Sequence, residues 1–107
     1  MNTHIPIEKL EVNWDKLNRR FFFPQVGTKD AQLEYELIDD GDRQDPIVHI
    51  TSVFVPPSMR SMGLGQHITQ LALQELSEDN RRIKVSCPFV ADYMRLNPVY
   101  NHLLIDA

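Results

Sequence analysis

Between Ala31 and Ile38 the chain alternates: Ala31, Leu33, Tyr35 and Leu37 fall on one side, and Gln32, Glu34 and Glu36 on the other. That is the period of a half-buried strand. IVHITSVFV, Ile47 to Val55, is β-branched and apolar at both parities, which predicts a central strand covered on both faces. Pro56-Pro57 stops it. From Gly63 to about Glu78 the period lengthens: Leu64, Ile68, Leu71, Ala72 and Leu76 recur at helical spacing, giving one buried stripe. RRFFFPQV, Arg19 to Val26, predicts an aromatic strand that Pro24 ends or pushes to an edge. RRIKVSC, Arg81 to Cys87, predicts another, and Phe89 to Leu96 a short helix stopped before Asn97-Pro98. The first sixteen residues read as irregular or a short strand; turns are expected at Gly27 and over Asp39 to Pro46. The order implies an α/β (α+β) fold: a mixed, mostly antiparallel sheet of about four to five strands, two main helices and one right-handed strand–helix–strand crossover.

Composition narrows the class. At 107 residues the chain is expected to form a single domain over 1–107. With 42% apolar and 24% charged residues it reads as an ordinary globular protein. A net charge of −4 argues against broad nucleic-acid binding, yet leaves room for an anion held by local amides. Cys87 is the only cysteine, which rules out an internal disulfide and a cysteine-based zinc cluster, and fits a reducing, cytoplasmic location. No long apolar run opens the chain, so neither a signal peptide nor a membrane span is expected.

The candidate chemistry sits in VFVPPSMRSMGLGQHITQLALQEL, Val53 to Leu76, which holds two of the four glycines. The first-turn amides of the helix, roughly Met62 through Gln66, lack intrahelical partners, and the helix dipole adds partial positive charge there. Gly63 and Gly65 keep side chains away, and Arg60 supplies a cation. This reads as a pyrophosphate cradle; the competing reading is that the glycines only let the helix pack tightly on the sheet. A nucleotide-triphosphate loop would need a lysine followed by Ser or Thr where Gln66 and His67 stand. The dinucleotide fingerprint would need glycine at Ile68 and a parallel sheet from the start.

Arg60-Ser61-Met62-Gly63-Leu64-Gly65 resembles the R/Q-x-x-G-x-G/A loop by which GNAT acyltransferases hold the pyrophosphate of coenzyme A. GTKDAQLEYEL, VPPSMR and KVSCPFVADYMRLNPVY resemble the opening, strand exit and strand–Cys-Pro–helix–Pro–Tyr ending of the short GNAT-like N-acetyltransferase domains. The likeness covers roughly Phe21 to Leu104. It implies an acetyl-CoA-dependent N-acetyltransferase in which acetyl-CoA lies in a splayed opening between neighbouring strands and an amine attacks directly. Carried over, the strand exit at Val53 and Val55 would hold the pantetheine arm through its backbone. Arg60, Ser61, Met62, Gly63, Leu64, Gly65 and Gln66 would hold the pyrophosphate, with Cys87, Pro88 and Tyr93 on the other lip.

The chemistry needs a deprotonated amine, an oxyanion donor and a proton for the departing thiolate. Cys87 either lines the acetyl site, acts as a transient acyl acceptor, or packs a strand end. Tyr93 is the candidate proton donor, against a core tyrosine with its hydroxyl at the rim; Tyr100 is second, and Arg95 is either a phosphate contact or a solvated side chain. The chain departs from the family pattern at Ser61, where glycine is common, at Ser52-Val53, where His-Thr is common, at Phe54, where an acidic residue is common, and at Val99, where glutamate is frequent. His49 falls on the opposite face from Ser52 by strand alternation, which leaves no obvious general base. The alternatives are a non-catalytic acyl-CoA-binding or protein-interaction domain with a degenerate site, and an interaction domain whose glycines are purely architectural. The acceptor, a small-molecule or protein amine, is unnamed by the sequence, and monomer and homodimer both stay open.

Overall fold

The computed structural model describes residues 7–24, 31–41 and 45–105, without the side chains of Ser58 and Ser61. The turn expected at Gly27 lies outside the described residues. The strands are β1 (Asn13–Asp15), β2 (Arg20–Phe22), β3 (Gln32–Ile38), β4 (Ile47–Phe54) and β5 (Ile83–Val85), and they lie side by side in that order in one five-stranded sheet. Neighbours are antiparallel except β4 and β5, which are parallel. Helix α1 (Leu64–Glu78) connects that parallel pair, and α2 (Pro88–Leu96) follows β5. The fold is therefore mixed α+β, with a mostly antiparallel sheet and two main helices, as the periodicity predicts.

Three expectations need correction. The aromatic strand ends at Phe22, short of Pro24, as one of the two alternatives has it, but it does not form the sheet edge: β1 pairs outside it, its Trp14 stacked on Phe21 with centroids 5.0 Å apart and its indole Nε1 donating to the Tyr35 hydroxyl at 2.9 Å. The alternating stripe of β3 stops at Tyr35, since Leu37 is 42% exposed. The stripe of α1 is rotated: Leu64, Ile68, Thr69, Ala72, Leu73 and Leu76 are buried, and Leu71 is half-buried. Thr69 is admitted because its hydroxyl bonds the Gly65 carbonyl at 2.8 Å, so no polar group is left bare.

The largest difference concerns β4, which has one covered face. Phe21, Leu33, Tyr35, Val48, Ile50 and Ile83 share one core cluster with the apolar residues of both α1 and α2. Among the described residues, the opposite face carries Arg20, Gln32, Glu34, Glu36, His49, Ser52 and Lys84, none of them buried, and its one buried member on β4 is Ile47 at the strand's start. A sheet covered on one side only is an antiparallel solution, and here it holds because a single pair of strands is parallel.

Strand β4 also carries a bulge. Glu34 pairs with Ser52 and Tyr35 with Ile50, so Thr51 is the extra residue. Its hydroxyl donates to the Glu34 carbonyl at 3.3 Å. The bulge resets the alternation. His49 pairs with Glu36 and Ser52 with Glu34, which puts both on the open face, contrary to the expectation from simple alternation. Among the described residues no helix is long and apolar enough to cross a membrane.

Candidate functional site

The β4–β5 ladder is short. Its pairs run from Val48–Ile83 to Ile50–Val85, and the last rung is the Ser86 amide bonded to the Ile50 carbonyl at 3.0 Å. Beyond it, β4 continues to Phe54 on β3 alone while the chain after Val85 turns into α2. Among the described residues no further backbone hydrogen bond joins the two. The sheet thus forks at the Thr51 bulge, where the added residue bends β4 and increases its twist.

The open arm of the fork leads to the start of α1. Residues Pro57–Met62 make a 3-10 turn that ends at Gly63, whose φ of +82° is left-handed. Gly63 is also the N-cap of α1, and no side chain caps the first-turn amides. A Cβ on Gly63 would point into open space, so backbone conformation, not crowding, selects glycine here. At Gly65 the reason is close approach: a Cβ would stand 3.0 Å from Phe89 Cζ, 3.2 Å from Phe89 Cε2 and 3.6 Å from Val55 Cγ2. Gly65 thus answers to close packing, while Gly63 answers to backbone conformation and leaves open space beside the first-turn amides.

Two cavities meet at this corner. One, of about 570 Å³, is lined by Val53, Phe54, Val55, Arg60, Gly63, Gly65, Gln66 and Phe89. The other, of about 790 Å³, runs between α1 and α2 past Gln66, His67, Gln70, Pro88, Asp92 and Tyr93. Gly63, Gln66 and Phe89 line both. Arg60 is exposed, and its Nε donates to the Val55 carbonyl at 3.0 Å, tying the 3-10 turn to the end of β4. That bond leaves its two terminal nitrogens without a hydrogen bond among the described residues. The bare amides, the glycine corner and a held guanidinium suit an anionic, elongated ligand.

Among the residues singled out in the sequence, Val53, Val55, Arg60, Gly63, Gly65, Gln66, Pro88 and Tyr93 border these cavities. Met62 is exposed in the 3-10 turn, and Leu64 is 2% exposed, so only its amide is available. Cys87 is the N-cap of α2, 5% exposed within the core cluster, and lines neither cavity. Tyr93 is half-buried; burial, and then the neighbouring Tyr100 phenol, push its pKa above the ordinary 10.0, so it stays protonated at neutral pH. Arg95 is exposed and paired with Asp92 at 2.7 Å.

Sequence reasoning missed two features. Phe89 divides the cavities, 43% exposed in the first turn of α2, although an aromatic after Cys-Pro at a helix start was there to be read. The second is the hydrogen bond between His49 Nε2 and the Ser86 hydroxyl, which joins β4 to the end of β5 at the base of the fork on the open face. No local signal announced it, because the bulge is a property of strand pairing.

Comparison with known proteins agrees with this geometry. The model of the GCN5-related N-acetyltransferase family matches residues 20–103. "Protein NATD1" of Bos taurus is 30% identical over 95 residues, 88% of this chain and 80% of that protein. Its namesake in Gallus gallus is 28% identical over 95 residues, 88% of this chain and 82% of that one. An NMR solution structure of a GCN5-like protein from Staphylococcus aureus superposes with a TM-score of 0.64 at 17% identity, covering 92% of this chain and 90% of that one, a likeness of fold. The forked sheet, the uncapped helix start and a family match spanning most of the chain lead to one assignment: the chain belongs to the GCN5-related N-acetyltransferase family.

Proposed function

We propose that this protein transfers the acetyl group of acetyl-CoA to a primary amine by direct attack within the fork. The observation that carries the reading is the end of the β4–β5 ladder at the Ser86–Ile50 rung, opening beside an α1 start with uncapped amides. The first-turn amides of Leu64, Gly65 and Gln66, reached through Ser61, Met62 and the bend at Gly63, hold the pyrophosphate, with Arg60 as the neighbouring cation. The main chain of Val53 and Val55 holds the pantetheine amides as an added strand would, and Pro88 and Phe89 bound the arm on the other side. Acetyl-CoA is the substrate that supplies the thioester; the protein supplies position. Placing amine and thioester side by side lowers the barrier by several kcal/mol without any further group. Tyr93, kept protonated by burial, offers its proton to the departing thiolate. The burial of Cys87 in the core favours packing over a direct part in the chemistry.

Isothermal titration with acetyl-CoA, followed by measurement of CoA release across a panel of amines, tests the reading. Saturable binding with amine-dependent CoA release is the expected result. Absence of binding at millimolar acetyl-CoA overturns it.

A further inference from the structure

Resting on that proposed function, we infer that the His49–Ser86 pair is the proton acceptor for the incoming amine, and that the amine arrives across the open face of the sheet. Ser86 itself makes the last β4–β5 rung through its amide, so its exposed hydroxyl stands at the base of the fork. His49 lies one residue before the rung, and its Nε2 is hydrogen-bonded to that hydroxyl. The Thr51 bulge makes this the face that also carries Ser52 and Glu34, whose side chains are bonded to each other at 2.9 Å. The donor cavities lie along the helix side and are bordered by Gly63, Gln66 and Phe89. An amine approaching from the other face reaches the fork without crossing them.

The other candidate bases are badly placed for this. His67 is on the helix side, stacked on Phe23 with centroids 5.6 Å apart, and its buried Nε2 has no partner among the described residues. His102 Nδ1 is engaged with the Val99 carbonyl at 3.0 Å. Cys87 is buried. The charged groups facing His49 are Glu36, its direct partner on β3, Glu34 two pairs further along that strand, and Lys84, its partner on β5.

The step balances. The amine nitrogen forms a bond to the thioester carbonyl carbon, and the carbon–sulfur bond breaks with its electron pair going to sulfur. The proton leaving the nitrogen goes to Ser86 Oγ as the Ser86 hydroxyl proton passes to His49 Nε2. Sulfur takes a proton from Tyr93, and His49 later releases its proton to water. Ser86 touches the substrate, while His49 acts through it and so needs its ring neutral with the proton on Nδ1.

The test uses the intact chain with putrescine, a lysine peptide with a blocked N-terminus and a peptide with a free N-terminus as acceptors. His49→Gln and Ser86→Ala are each expected to lower kcat about a hundredfold, and together no more than either alone. The Kd for acetyl-CoA is expected to stay within about twofold, since neither side chain borders the donor cavities. Wild-type kcat/KM is expected to fall toward acid pH more steeply than that of His49→Gln. Nitrogen-15 spectra of the imidazole give a readout apart from turnover: Ser86→Ala should move the His49 Nε2 resonance. A His49→Gln variant with wild-type kcat and pH profile overturns the pair and leaves the proposed function standing. Acetyl-CoA bound with no CoA release for any of the three acceptors also overturns the pair, whereas no acetyl-CoA binding overturns both readings.

Discussion

Gly65 and Phe89 face each other across the corner where α1 meets α2, so close that a Cβ on the glycine would lie 3.0 Å from the ring. The ring in turn lines both cavities. The side chain of one helix therefore rests on the bare backbone of the other and narrows the route between the two spaces.

Gly65→Ala tests that contact. Alanine in a helix gains roughly 1 kcal/mol over glycine, and a half-exposed ring can swing aside, so the melting temperature should change by only a few degrees. The displaced ring should then occupy the donor route and weaken acetyl-CoA binding about tenfold. Adding Phe89→Ala should restore affinity in titration calorimetry. Failure of the double variant to recover would show that the ring is not the obstacle.

Gly63 makes a different demand, because its φ of +82° is left-handed. Gly63→Ala should cost about 1–2 kcal/mol in urea unfolding, and Gly63→Val more, since a β-branched side chain is least tolerant of that conformation. Asparagine visits the left-handed region more readily. Gly63→Asn should therefore keep most of the stability while placing atoms in the open space beside the first-turn amides, and it should reduce acetyl-CoA affinity with a folded domain intact.

Arg60 links the two walls through its bond to the Val55 carbonyl. Arg60→Ala should weaken acetyl-CoA binding about tenfold, within the range of a lost charge-assisted hydrogen bond. The salt dependence of binding should flatten as well, as expected when a cation facing a phosphate is removed. Arg60→Lys should recover the salt dependence more fully than the affinity, since one ammonium cannot brace the Val55 carbonyl and face an anion with a planar fork.

Tyr93 has a pKa above the ordinary 10.0 because its phenol is partly buried and lies near Tyr100. The proton is thus bound more tightly in the folded state. Its contribution to stability is full below about pH 10 and is lost as pH rises through the folded value. Tyr93→Phe should reduce the alkaline loss of stability in pH-dependent unfolding. The same variant should lower kcat and leave the Kd for acetyl-CoA unchanged if the phenol donates to sulfur.

Much of this architecture could be read locally. Helix α1 shows its period and its glycine start, α2 its Pro88 entry and Asn97-Pro98 exit, and β3 its alternation as far as Tyr35. These are near-neighbour properties, set by spacing and by the φ limits of proline and glycine. The fork was not legible in the same way. It depends on Thr51 being skipped by a partner some seventeen residues away, which no window along β4 records. From that one skipped pairing follows the facing of His49 and Ser52 to the same side, whereas the mistaken expectation of a strand covered on both faces comes from β-branched and apolar residues at both parities of β4. The place of the Phe89 ring is not legible for a similar reason, since it depends on a contact with Gly65 that is distant in sequence.

The uncovered side of the sheet has a kinetic corollary on the proposed function. Two reactants converging on one carbon from opposite sides need not queue, so either could dock first and neither would trap the other. Initial-rate lines should then intersect, and product CoA should compete with its own precursor but not with the amine. A bulky acceptor, such as the tail of another folded molecule, could lie flat across the strands and never thread a tunnel.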